Sequence, residues 1–244
     1  MTSLSVNINK VATIRNARGG DIPNLIQIAK DAQIFGAQGI TVHPRPDERH
    51  IKYVDVYNLK DCVYTELNIE GYPNERFLQL MDEIIPEQCT LVPDPPDALT
   101  SNAGWNTLEN EGILKKVINR LKNKGIRVSL FMGNNRKYIQ KAKEVGADRI
   151  ELYTGPYAKN FLYNKVEAIQ DYKIAANEAK KLGLGVNAGH DLDLNNLAYL
   201  INEIPNISEV SIGHALISDT LYYGLENTIQ MYLREIQKGH VSGK

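Results

Sequence analysis

The sequence predicts an α/β protein, a single (β/α)8 barrel spanning residues 1–244. Three observations predict it. Eight short β-branched runs alternate with longer segments of helical spacing, the pattern of parallel β-α units. Several helical segments end in glycine just before the next strand-like run, where a residue free of a Cβ accepts positive φ. The length of 244 residues suits one closed barrel of roughly 250 residues. An open doubly wound sheet is the competing architecture, but no G-x-G-x-x-G follows the first run to favour it.

The elements follow in order. The strand-like runs are LSVNI (4–8), GITVH (39–43), TELNI (65–69), CTLV (89–92), IRVSLF (126–131), DRIELY (148–153), LGVNA (184–188) and EVSIG (209–213). Leu25, Ile28, Ala29 and Ala32 keep the three-to-four spacing of an amphipathic helix. Phe77, Leu80, Met81 and Ile84 repeat it, as do Val117, Ile118 and Leu121; Ile174, Ala175, Glu178 and Ala179 follow it less regularly. The glycine stops are FGAQG (35–39), NKGIR (123–127), VGADR (145–149) and KLGLG (181–185). Residues 93–105 and 154–164 read as long loops at the end of the barrel where active-site covers grow. Tyr222 and Tyr223 read as interface or core aromatics.

Composition excludes several classes. A net charge of -1 gives no nucleic-acid footprint, and Lys115-Lys116 and Lys180-Lys181 read as solvated helix faces. No apolar run approaches the roughly 18 residues of a membrane span. The opening MTSLSVNINK lacks a basic stretch followed by an apolar one. Cys62 and Cys89 stand in no metal or redox spacing and read as reduced core or near-core residues. The expectation is a soluble cytoplasmic protein.

In such a barrel, catalytic groups gather at the C-terminal ends of the strands. Four of the five histidines fall there: His43, His50, His190 and His214, with His240 elsewhere. Glu70 ends the third run, Glu151 lies in the sixth, and Asn7 ends the first with Arg18 in its loop. Histidine and glutamate on one rim suit proton transfer near neutral pH. The passage of the last strand through Gly213 into a helix offers free N–H groups to an anion. Arg18, Arg45, Arg49 and His50 form a second cationic cluster suited to phosphate. A salt-bridge network with Asp47 and Glu48 is the alternative for Arg49 and Arg45. Glu151 could instead be a structural carboxylate held by a cation, and Asn187 reads as an orienting residue. No H-x-H, H-E-x-x-H or Cys–His set is present, although Glu70, His43 and His190 leave a metal site open.

The motifs VNINKVATIRNARGG, GITVHPRPDERHI, LNIEG, VSLF, IELYTG, VNAGHDL and IGHALI, in this order, resemble the pyridoxine 5'-phosphate synthase family over nearly the whole chain. The resemblance implies a cytoplasmic, octameric (β/α)8 barrel, a transferase of vitamin B6 biosynthesis. It would condense 3-amino-2-oxopropyl phosphate with 1-deoxy-D-xylulose 5-phosphate into pyridoxine 5'-phosphate, phosphate and water, without metal or organic cofactor. Carried over by motif, His43 accepts a proton, Glu70 is a second acid/base, His190 donates a proton and Glu151 steadies the transition state. Asn7, Arg18, Asp191, Gly213 and His214 would bind the aminoketone phosphate. Asn9, Lys10, Arg45, His50 and Thr100 would hold the ketose phosphate. Two departures stand out. The usual N-x-D-H is Asn7-Ile8-Asn9-Lys10 here, and Asp191 replaces the glycine that usually follows the histidine. Two other readings stay open: a phosphosugar lyase or isomerase using Lys10 as an imine-forming amine, and a barrel that binds a phosphorylated metabolite without turnover.

Overall fold

In a computed structural model of the chain, residues 1–94 and 103–241 are described. Eight strands form one closed parallel barrel in sequence order: β1 (Ser3–Asn7), β2 (Gly39–Val42), β3 (Glu66–Gly71), β4 (Gln88–Leu91), β5 (Arg127–Met132), β6 (Arg149–Tyr153), β7 (Gly185–Gly189) and β8 (Ile207–Ile212). Each falls within a residue or two of its sequence-predicted run. Ser5 pairs with both Gly39 of β2 and Ser211 of β8, which closes the ring.

Strand side chains alternate between two faces. The outward face is apolar: Leu4 and Val6, Ile40 and Val42, Leu130 and Met132, Ile150 and Leu152 are buried under the helices. The inward face is polar. Ser5, Thr41, Asn68, Gln88, Thr90, Ser129, Asn187 and Glu209 are all buried. Gln88 of β4 donates to Glu209 of β8 across the axis at 3.3 Å. Asn187 also donates to Glu209 at 3.3 Å, so its orienting role falls deep in the barrel. Ser5 and Thr41 hydroxyls are 2.7 Å apart, and Thr90 donates to Asn68 at 3.0 Å. Interiors of this fold are commonly filled with branched apolar side chains. Here hydrogen bonds satisfy most of the polar groups that burial would otherwise penalise.

More helices surround the barrel than the eight expected. The connections after β1, β6 and β8 each carry two: α1 (Asn9–Arg18) with α2 (Leu25–Ile34), α7 (Gly155–Ala168) with α8 (Gln170–Lys181), and α10 (His214–Tyr223) with α11 (Leu225–Val241). Among the described residues, single helices fill the other connections: α3 (Tyr53–Lys60), α4 (Glu75–Ile84), α5 (Glu111–Lys122), α6 (Arg136–Glu144) and α9 (Leu197–Glu203). Arg18 therefore ends a helix rather than sitting in a loop. Helix α1 escapes periodicity because only Val11, Ala12 and Arg15 of it are buried. Residues 154–164, expected as a loop, enter α7. Pro156 sits in its first turn, where proline costs no hydrogen bond. Tyr157, fully buried, donates to the Asn196 carbonyl at 2.7 Å and anchors that helix. Of the other expected loop, residues 95–102 lie outside the described residues. Trp105 returns the chain, donating through Nε1 to the Leu91 carbonyl at 3.0 Å. Cys89 is buried and Cys62 partly so, both as free thiols. Tyr222 and Tyr223 are exposed on this chain.

Helix α1 also fixes the loop that follows β2. The Arg15 guanidinium holds Asp55 in a two-pronged pair at 2.7 and 2.8 Å, with both side chains nearly buried. The Asn16 amide donates to the His50 carbonyl at 2.7 Å. Asp55 in turn accepts from the Lys52 N–H at 2.7 Å, starting α3. Removing one partner of a buried pair strands the other charge. Asp55→Ala should lower unfolding stability by about 3 kcal/mol, read as a drop in the urea midpoint. An unchanged midpoint would show that the pair does not brace this loop.

Candidate active site

The C-terminal rim of the barrel opens into a cavity of about 600 Å³. All four proposed catalytic residues line it: His43 from the end of β2, Glu70 from β3, Glu151 from β6 and His190 just past β7. Of the proposed binding residues, Asn7, Asn9, Lys10, Arg45, His50, Asp191, Gly213 and His214 line it too. Arg18 does not; it is exposed at the end of α1. Thr100 lies outside the described residues.

Short local bonds set the first side of this mouth. Asn7 Oδ1 accepts the Asn9 N–H at 3.0 Å, and Asn9 Oδ1 accepts the His43 N–H at 2.9 Å. Asn9 thus fixes the backbone that carries the His43 imidazole, a task an amide oxygen performs as a carboxylate would. His43 Nδ1 lies 3.7 Å from Glu70 Oε2. The Ile51 N–H donates to His50 Nδ1 at 2.8 Å, leaving Nε2 as the ring's remaining polar atom. Arg45 pairs with Asp94 at 3.0 Å, and Arg49 with Asp47 at 2.7 Å. The expected salt-bridge alternative therefore holds for Arg49 with Asp47, while the Arg45 partner is a residue that the sequence did not single out.

On the far side, His190 has positive φ (80°), as does Asp191 (57°). The left-handed backbone is tolerable for an aspartate and turns the imidazole against Phe131 and Tyr153, with ring centroids 5.4 and 5.3 Å away. Glu151 Oε1 fits because residue 189 is glycine; a Cβ there would collide with it. Glu151 Oε2 is buried without a hydrogen-bond partner, and among the described residues no cation pairs with Glu151. The cation-held structural role considered for it thus has no support there. Opposite, Gly213 precedes α10 with no side-chain cap, so the first N–H groups of that helix face the cavity beside Ser211.

Burial dominates the electrostatics. It holds the His43 imidazole well below its ordinary range, helped by the Arg45 charge. It lowers His50 to about 4, with Arg45 and Lys10 adding to the effect. It also lowers His190, against the opposing charge of Asp191. Burial pushes Glu70 up to about 8, and raises Glu151 strongly with Glu70 as its like-charged neighbour. Near neutral pH His43, His50 and His190 are therefore neutral imidazoles, and Glu70 and Glu151 are protonated carboxyls. Among the described residues, no three His, Cys, Asp or Glu side chains cluster to hold a metal ion. The sequence reading missed Asp94, Phe131 and Tyr153. Asp94 alone left a trace, as the first acid after the fourth strand-like run, in Pro93-Asp94.

A closed parallel barrel with acid/base side chains gathered in one cavity at its C-terminal rim belongs to the class of (β/α)8 barrel enzymes. The comparisons narrow this. The family described as "Pyridoxal phosphate biosynthesis protein PdxJ" matches residues 4–238. A protein named pyridoxine 5'-phosphate synthase from Cytophaga hutchinsonii is 60% identical over 238 residues, covering 98% of this chain and 100% of the relative. Its counterpart in Parabacteroides distasonis is 57% identical over 232 residues, covering 95% and 98%. This chain belongs to that family. Solved structures show the fold alone: phosphoribosylanthranilate isomerase from Thermotoga maritima aligns with TM-score 0.59 at 12% identity, covering 97% of this chain and 99% of that one. The Amycolatopsis orientalis BexX/CysO complex aligns with TM-score 0.63 at 16% identity, covering 100% and 91%.

The Glu70 carboxyl makes a stability prediction with a definite sign. Its proton is held more tightly folded (about 8) than in the ordinary range near 4.5. Folding is therefore disfavoured increasingly as pH rises from about 4.5 to about 8. Glu70→Gln should match the native protein near pH 4 and exceed it above pH 8 by on the order of a few kcal/mol. Denaturant unfolding at the two pH values checks this; equal stability at both would remove the buried, proton-retaining carboxyl.

Proposed function

We propose that the chain is a pyridoxine 5'-phosphate synthase. In this reading it condenses 3-amino-2-oxopropyl phosphate with 1-deoxy-D-xylulose 5-phosphate, releasing pyridoxine 5'-phosphate, inorganic phosphate and water. The observation that carries the reading is the single cavity lined by His43, Glu70, Glu151 and His190 between two anion-suited ends, in a chain of this family.

The α10 N-terminus at Gly213 and His214, with Asn7, holds the aminoketone phosphate. Lys10, Arg45 and His50 hold the ketose phosphate. Anchoring both ends lowers the entropic cost of bringing amine and ketone together. The amine attacks the ketone to form an imine with loss of water. Neutral His43 accepts a proton in that exchange, and protonated Glu70 donates to the departing oxygen. Loss of phosphate, carbon–carbon closure and dehydration complete the ring. His190 rests neutral, so the proton it donates late is one it gains during the reaction. Glu151, buried and protonated, donates to oxygen charge that develops in the transition state. The Asp191 carboxylate faces the aminoketone phosphate end and weakens its hold there, relative to glycine. No step requires a metal or organic cofactor. Exposed Leu221, Tyr222 and Tyr223 on α10, with Leu162 and Tyr163 on α7, support burial against further copies of the chain, and we take the assembly to be an octamer. A cytoplasmic location completes the proposal; among the described residues no helix is long and apolar enough to cross a membrane.

Chelator-treated protein incubated with both phosphates should accumulate pyridoxine phosphate absorbance. His43→Ala and Glu70→Ala should each cut turnover by about 10²–10⁴-fold while inorganic phosphate still binds. Full turnover in either variant removes that residue from proton transfer, and no product from the native protein overturns the reaction itself.

A further inference from the structure

Asp94 carries a charge that neither the family motifs nor the proton-transfer scheme uses. It lies just past β4, on the catalytic rim, and only 6% of it is exposed. Its carboxylate meets the Arg45 guanidinium at 3.0 Å, and Arg45 is equally buried, at 5%. Arg45 lines the large cavity, whereas Asp94 lines a small adjoining recess with His43, Arg45, Tyr53 and Tyr72. The acid thus stands behind the guanidinium rather than in front of it. A guanidinium is a rigid planar fork with several donors. The contact with Asp94 restrains the plane of a guanidinium whose side chain lines the cavity.

We propose that Asp94 is a positioning residue for the reaction: it holds Arg45 in the orientation that receives the ketose phosphate and balances the Arg45 charge beside Glu70 and His190. The proposal rests on the reading of Arg45 as a phosphate ligand given under Proposed function. The charges around the pair explain its second effect. Arg45 lowers the proton affinity of Glu70, His43 and His190, and Asp94 raises that of Glu70 and His190. Glu70 also feels Glu209 from below, His43 feels His50, Arg49 and His190, and His190 feels Asp191. Toward Glu70 and His190, Asp94 opposes the effect of Arg45. Without its charge, Arg45 acts on them uncompensated, and both Glu70 and His190 give up protons at lower pH.

Steady-state kinetics of Asp94→Asn and Asp94→Glu with both phosphates across a range of pH tests this. Asp94→Asn should raise KM for the ketose phosphate about tenfold or more, while KM for the aminoketone phosphate stays within about twofold. Its pH–rate profile should move toward acid, and Asp94→Glu should restore both properties. An unmoved profile with unchanged ketose KM overturns the proposal, and so does an equal loss toward both substrates. A fall in ketose KM would show Asp94 competing with the phosphate, and also overturns it. If Asp94→Asn fails to fold, Asp94→Glu decides: ketose KM and profile close to native support positioning, and a loss shared by both substrates sinks it. If the native protein makes no product, the proposed reaction fails by itself. Calorimetric titration with inorganic phosphate then reads Asp94, where weaker binding to Asp94→Asn supports positioning and equal binding refutes it.

Discussion

Closure of the sheet governs this molecule. Once Ser5 pairs with both Gly39 and Ser211, every strand has two neighbours and every second side chain must face the axis. In this chain those inward positions carry hydroxyls, amides and carboxylates. A polar axis is stable only if its groups bond one another, because an unpaired buried polar atom costs on the order of 1–3 kcal/mol. The Gln88, Asn187 and Glu209 contacts at one level and the Ser5–Thr41 and Thr90–Asn68 contacts at another meet that demand. The few atoms left over include Glu151 Oε2, at the level where the barrel opens into the cavity.

The same closure brings the strand ends into a ring, and desolvation then decides their protonation. Burial favours the neutral form of any titratable group, so imidazoles lose protons and carboxyls keep them. His43 and Glu70 sit 3.7 Å apart on adjacent strands, and burial moves them in opposite senses. That arrangement places a base and an acid together near neutral pH. The charge of Arg45 lowers the proton affinity of both, and that of Asp94 opposes it at Glu70. The two side chains pair at 3.0 Å, both nearly buried.

Stability is spent to hold this mouth open. Glu70 and Glu151 are buried carboxyls close enough that a charge on Glu70 disfavours one on Glu151, and Asp191 adopts a left-handed backbone beside His190. Opposing these costs, α1 braces the adjoining loop through Arg15–Asp55 and Asn16, and the apolar outer face of the strands packs under the helices.

The sequence by itself determined the barrel. Alternation of β-branched runs with glycine-stopped helices located all eight strands, and the strand-end rule placed His43, Glu70, Glu151 and His190 on one rim. These signals are local, since period and turn chemistry follow from neighbours along the chain. Helices α1 and α7 were illegible because one buries little and the other opens on glycine and proline, which read as a loop. Only the tertiary structure decided that Arg18 lies off the cavity, that Asp94 meets Arg45, and that Phe131 and Tyr153 flank His190. Each depends on distances between residues far apart in sequence, and no periodicity encodes such a distance. Protonation was equally hidden: a histidine or glutamate in a sequence carries its ordinary proton affinity until the closed barrel strips it of water.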